Sequence, residues 1–223
     1  MTGLIVLQDA GTDEEIMIKR LLGKKLGMTR IFDAEGTALP VTVIEAGPCY
    51  IVQKKTAASD GYDAVQLGFI RKRLDKLTKP LRGHFEKHGF KSGFRYLKEF
   101  RLDSVEGLEV GQELDVSQFE IGERVNVIGF SKGRGFAGVI KRWGFHRGPE
   151  THGSMSHRAP GSIGASAYPS RVIKGKKMPG RMGNAQVTIA SLQVVDIRPE
   201  SNLILLKGAV PGARHGLLMI KKP

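Results

Sequence analysis

His146, His152 and His157, with Glu150 between the first two, are the side chains whose types and spacing come nearest to metal ligation or proton transfer in this 223-residue chain. No cysteine or paired carboxylate accompanies them, and H-x5-H-x4-H matches no usual zinc spacing. The cations around them would also oppose a further positive ion. Ser154, Ser156 and Ser162 lie near these histidines, which raises nucleophilic chemistry. There is no G-x-S-x-G elbow, however, and Glu150 is the one nearby acid that could orient an imidazole. Gly133 to Gly138 reads G-x-G-x-x-G, the spacing of a dinucleotide-binding turn. That chemistry needs a second parallel strand and a ribose-binding acid about 20 residues further on. The sequence that follows is basic and strandless. These residues therefore imply no catalytic group, no metal site, no cofactor and no small-molecule substrate. Hydrogen bonding to phosphate or to a 2′-hydroxyl suits the histidines better.

The stretch that carries them, Ser131 to Met182, explains why. It holds Lys132, Arg134, Lys141, Arg142, Arg147, Arg158, Arg171, Lys174, Lys176, Lys177 and Arg181 against Glu150 alone, a net charge of +10 in 52 residues. The whole chain has 35 Lys and Arg against 22 acids, so this segment supplies most of the +13 excess. Ten glycines fall in it too, and after Phe145 it has no apolar run long enough for a buried strand. A structureless connection beyond roughly 15 residues is usually functional or disordered. Like charges repel and glycines cost backbone entropy on ordering, so a polyanion must supply the compensating free energy. Phe136, Val139 or Ile140, and Trp143 give a short helix one apolar face, with Arg134, Lys141 and Arg142 on others. Trp143 is then either a packing anchor at the base of the segment or a platform for base stacking.

The elements that position this arm read as short strands. The Asp33–Gly36 cluster between Leu26–Phe32 and Leu39–Ile44 predicts a hairpin turn. Further strands are predicted at Tyr50–Lys54, Ala64–Ile70, Tyr96–Leu102, Glu113–Val116 and Arg124–Phe130. After the basic stretch come Gln186–Ile197, Asn202–Lys207 and Leu217–Ile220. Strands at this spacing with little helical periodicity predict a mainly β fold, a closed or nearly closed barrel built from residues 18–130 and 183–223. The arm, residues 131–182, interrupts it. Residues 71–98 read as a small basic insertion with one short helix at Pro80–His88, its charge either a solvated face or a second RNA contact.

Residues 1–17 carry Asp9, Asp13, Glu14 and Glu15 and no base, and are expected to be a solvated extension or to precede a true start at Met17. They lack the positive n-region and cleavage site of a secretory signal. No segment approaches the ~20 apolar residues of a membrane-spanning helix. Cys49, the single cysteine, sits in an apolar run and is expected in the core of a protein from a reducing compartment.

Phe119, Asn126, Gly129, Ser131, Gly133, Arg134, Gly135, Gly138 and Arg142 form the pattern F-x6-N-x2-G-x-S-x-G-R-G-x2-G-x3-R. This resembles the signature of the bacterial large-subunit ribosomal protein L three family. The likeness extends to Leu22–Thr29, Arg158–Gly164, Lys174–Gly180 and Lys207–Gly212, and covers essentially Ile18 to Lys222. The resemblance implies a translation-factor-like β-barrel on the outer surface of the large subunit, in the cytoplasm, with the arm driven into the large-subunit (23S) rRNA near its 3′ end. It further implies early binding in subunit assembly, neighbours of the L fourteen and L nineteen families, and a loop tip of Ser162, Ile163, Gly164, Ala165, Ser166, Ala167, Tyr168 and Pro169 approaching the peptidyl-transferase centre. The rRNA-contacting set is then Lys24, Lys25 and Arg30 near the start, the eleven arm cations, Trp143, and the three arm histidines. Some relatives carry a methylated glutamine at the tip. This chain reads Ala165-Ser166-Ala167 there, so no such modification is expected.

Overall fold

The computed structural model describes residues Arg20 to Pro223, so the acidic stretch 1–17 lies outside the described residues. The chain runs β1 (Arg20–Phe32), β2 (Ala38–Ala46), β3 (Cys49–Lys55), a helical turn α1 (Ala57–Asp60), β4 (Ala64–Lys72), α2 (Lys79–Lys87), β5 (Gly93–Arg101) and β6 (Glu113–Leu114). It continues with β7 (Arg124–Phe130), β8 (Phe136–Ala137), α3 (Val139–Trp143), β9 (Gly180–Arg181), β10 (Gln186–Arg198), β11 (Leu203–Lys207) and β12 (Leu217–Lys221). The first turn is the predicted one. Asp33 Oδ1 accepts from the amides of Glu35 and Thr37, and Gly36 takes φ +80°, which a Cβ would penalise.

Six strands close into an antiparallel barrel in the order β1-β12-β7-β10-β11-β2. The alternation read from the sequence is the alternation of the pleat. In β7, Val125 and Val127 are fully buried while Asn126 and Ile128 are only partly covered. Closure leaves this sheet no edge on which another chain could pair.

The strands between β2 and β7 in the chain do not join it. β5-β4-β3-β6 is a separate four-stranded sheet, where the sequence reading assigned all of residues 18–130 and 183–223 to the barrel body. The reason is visible in β3, whose first four residues Cys49, Tyr50, Ile51 and Val52 are all buried rather than alternating. Cys49 and Ile51 pack into the barrel's own core, together with Leu67 and Phe69 of β4. Tyr50 and Val52 face the other way, into a small cluster with Phe85 of α2 and Phe94. A sheet covered on both faces reads as a continuous apolar run, which periodicity alone cannot place. The basic insertion is also tighter than expected, since β4 runs to Lys72 and β5 starts at Gly93. The predicted helix is present, with Pro80 in its first turn, and Phe85 anchors it. Among the described residues no helix is long and apolar enough to cross a membrane.

Because one apolar cluster spans barrel and second sheet, the two should unfold together. Leu67→Ala, at a fully buried position, should lower stability by about 2–5 kcal/mol in a single urea transition. Two transitions would show the sheets to be independent. Burial pushes the Cys49 thiol up to about 12, with the Leu22 carbonyl accepting from it at 3.5 Å. In the unfolded chain the thiol titrates lower, so stability is full below that unfolded value and falls as pH rises from about 9 toward about 12. Iodoacetamide at pH 8 should accordingly label Cys49 only after unfolding, as read by mass spectrometry.

Candidate nucleic-acid interface

β7 and β10 are neighbours in the barrel, and Phe130 and Gln186 are register partners. The basic segment thus leaves and re-enters the barrel at adjacent points, so the arm is the loop of a very long hairpin. Its two limbs are tied at the root by backbone bonds. Ser131 N donates to Ala185 O at 2.9 Å, Arg134 N to Met182 O at 2.9 Å, and Met182 N to Gly135 O at 2.8 Å. The two-residue ladder β8–β9 continues the ribbon by pairing Phe136 with Arg181 and Ala137 with Gly180.

A second tie follows at α3. Arg142 Nη1 and Trp143 Nε1 both donate to the Met178 carbonyl, at 2.8 and 2.9 Å. Arg142 and Lys177 lie 5.0 and 5.8 Å from the Trp143 ring centroid, so the indole sits among cations while remaining partly open. This is the anchoring role, with the ring still accessible. The helix is shorter than its apolar pattern suggested. Phe136 lies in β8 before it and is 79% exposed, so only Val139 is fully buried.

Further out, Gly148 N donates to His157 O at 3.0 Å and His157 Nδ1 to Pro149 O at 2.8 Å. From residue 144 to residue 179 there is no helix or strand. His146 and His152 do not join His157, and among the described residues no three His, Cys, Asp or Glu side chains gather to hold a metal. The glycine-rich stretch lacks a dinucleotide site's frame, since β8 and β9 are antiparallel and no parallel strand follows α3.

Most of the predicted cations stand in solvent: Arg30, Lys132, Arg134, Lys141, Arg158, Arg171, Lys174, Lys176, Lys177 and Arg181 are all exposed. Others are engaged. Lys24 pairs with Glu45 at 2.7 Å, and Arg147 pairs with Glu150 three residues on. Lys25 turns inward at the barrel mouth and donates to Val210 O at 2.8 Å. At the tip, Ser162 Oγ donates to Gly164 O, every residue from Ser162 to Tyr168 is exposed, and Tyr168 shows 89% of its surface.

The motif residues turn out to build the root. Phe119 is buried in the main core. Asn126 Oδ1 accepts from Ser191 N at 2.9 Å, holding the bulge in β10 where Ser191 has φ +56°. Ser131 Oγ accepts from Ala185 N. A Cβ on Gly129 would meet Leu218 at 2.6 Å and Pro211 at 3.0 Å. Gly183, which the sequence reading passed over, has φ +72°, and a Cβ there would lie 2.1 Å from Lys132 O. Its need arises from a chain segment about fifty residues away, which no local pattern records.

A closed β-barrel that projects a cationic, two-limbed arm defines a scaffold protein presenting charge to a polyanion. Comparison with known proteins gives the family. The profile of "Ribosomal protein L3" matches residues 101–202. The "Large ribosomal subunit protein uL3" of Syntrophus aciditrophicus is 58% identical across 93% of this chain and 95% of its own length. Those of Desulforapulum autotrophicum and Geobacter sulfurreducens are 55% and 54% identical, each across 92% of this chain. The chain belongs to the ribosomal protein L3 family, whose members are structural and non-enzymatic.

Gly183→Ala should force the limbs apart at the root, at a cost above about 1 kcal/mol for the positive φ alone. Trypsin cleavage after Arg134 and Arg181 should then accelerate several-fold while the barrel core stays resistant. Unchanged cleavage would mean that the contact can relax without opening.

Proposed function

We propose that the protein is a structural constituent of the large ribosomal subunit, and hence cytoplasmic, that binds the large-subunit rRNA near its 3′ end and helps nucleate early assembly. The arm enters the rRNA, and the tip from Ser162 to Pro169 approaches the peptidyl-transferase centre, with proteins of the L fourteen and L nineteen families as neighbours. One observation carries this reading: a loop with eleven Lys and Arg and one acid, tied to its barrel only near the base, compensates its charge internally only through the Arg147–Glu150 pair. The names of its relatives support the ribosomal setting.

Phosphate neutralisation by Lys and Arg releases condensed counterions, so affinity should fall with salt by a log–log slope of roughly −0.7 to −0.9 per contact. Arginine grips phosphate bidentately and stacks on bases, whereas lysine acts as a point charge. Arg158 and Arg171, both exposed beyond the last tie between the limbs, should therefore count individually. The tip carries no group poised for proton transfer. Any influence on peptide transfer comes through the position of the RNA.

Binding of the full chain to the rRNA 3′ domain should weaken on the order of a thousandfold between 50 and 200 mM salt if about six cations touch phosphate. Arg158→Gln with Arg171→Gln should flatten the slope by about 1 per residue removed. A slope near zero, or equal affinity for an unrelated structured RNA, would refute specific rRNA binding through this arm.

A further inference from the structure

Two adjoining hollows open where the arm leaves the barrel, of about 510 and 360 Å³, sharing Lys25, Lys132 and Gly212 in their walls. Arg134 lines one and Arg214 the other, and no carboxylate lines either. Two of these four cations are fixed to the barrel by backbone carbonyls. Lys25 Nζ donates to Val210 O at 2.8 Å and Gly212 O at 3.3 Å, leaving one N–H unspent. Arg214 Nε donates to Leu26 O at 3.0 Å, which leaves the terminal guanidinium nitrogens as donors. Lys132 and Arg134 come from the outgoing limb of the arm, whose backbone is clamped against Met182 and Gly183. Among the described residues, none of the four makes an ion pair within 4 Å.

We infer that this hollow is a preformed site for one backbone phosphate of RNA, with Lys25 and Arg214 as the fixed donors and Lys132 and Arg134 as the arm's contribution. The inference rests on the rRNA-binding reading above and gives it a place of first contact. Two cations fixed by backbone carbonyls, and two more on a limb whose backbone is clamped, need less ordering to receive an anion than the cations further out. Partial burial and then the neighbouring Lys132 hold the Lys25 ammonium below its ordinary range, a repulsion that a phosphate between the two would remove. Arg214 is the member that no local motif marked, since it arrives from the loop before β12.

The test uses the full chain and two probes, inorganic phosphate and a short single-stranded RNA, followed by backbone amide shifts. Saturable shifts confined to residues 131–134, Gly183 and Gly212 are expected with both probes. Arg214→Gln, and separately Lys132→Gln at an exposed position, should each weaken saturation about tenfold, as loss of one charge-assisted hydrogen bond implies. Lys91→Gln, in the bend between α2 and β5, should change nothing. Shifts that climb linearly over every basic surface, or an Arg214→Gln response equal to the parent's, would overturn the site. The same variants are then bound to the rRNA 3′ domain, where each should flatten the salt slope by about 1. An unaltered slope with phosphate still saturating the root would make this a free-anion site and overturn the proposal, while rRNA binding by the arm would stand. Absence of rRNA binding by the parent chain would instead remove the functional reading itself.

Discussion

The antiparallel pairing of β7 with β10 is the constraint on which the rest depends. It brings Phe130 and Gln186 to the same rung of a closed barrel, so the ends of a long cationic loop are joined without the loop itself bearing the closure entropy. The barrel's core supplies that rigidity. Val125, Val127 and Ile220 are fully buried in it, and the second sheet extends the same apolar cluster outward. Even the details serve this pairing. Asn126 holds the bulge in β10, and the bare Gly129 lets Leu218 and Pro211 close over β7.

Order in the arm then declines with distance from that pairing. The root has a hydrogen-bonded ribbon, α3 has Arg142 and Trp143 gripping the Met178 carbonyl as the outermost tie between limbs, and the Gly148–His157 contact further out closes a loop within the outgoing limb alone. Glycine sits where backbone presses on backbone. A Cβ on Gly183 would meet Lys132 O across the limbs, and one on Gly148 would meet Ser156 O at 2.0 Å within the outgoing limb. Beyond His157 the contacts are local, and the cations Arg158, Arg171, Lys174 and Lys176 face solvent. Repulsion among like charges opposes compaction there. The division of labour is physical: backbone bonds set the direction of the arm, and charge is left for its partner.

Much of this was legible because it is written locally. Alternation in Arg124–Phe130, the Asp33–Gly36 turn and the charge imbalance of residues 131–182 each depend on neighbours in sequence, and the structure places strand and turn where those signals lie. What could not be read depends on distant segments meeting. The all-buried run Cys49–Val52 gave no sign of a sheet clothed on both faces. Nor could the pattern Phe136–Trp143 tell that β8 would take Phe136 out of the helix. Gly183 and Arg214 owe their importance to partners on the opposite limb and at the barrel mouth. The signature itself was recognisable as a pattern, while its reason, the building of the root, became plain only from the hydrogen bonds.

The most direct test of an arm rigid at its root and ordered outward by RNA is amide hydrogen exchange on the full chain, free and bound to the large-subunit rRNA. In the free protein, the amides of Ser131, Arg134 and Met182 should be protected and those of residues 158–176 should exchange freely. Binding should then protect the outer residues strongly, with little change in the barrel. Outer amides already as protected as the barrel in the free protein, or unprotected in the complex, would contradict an arm whose order comes from its polyanion.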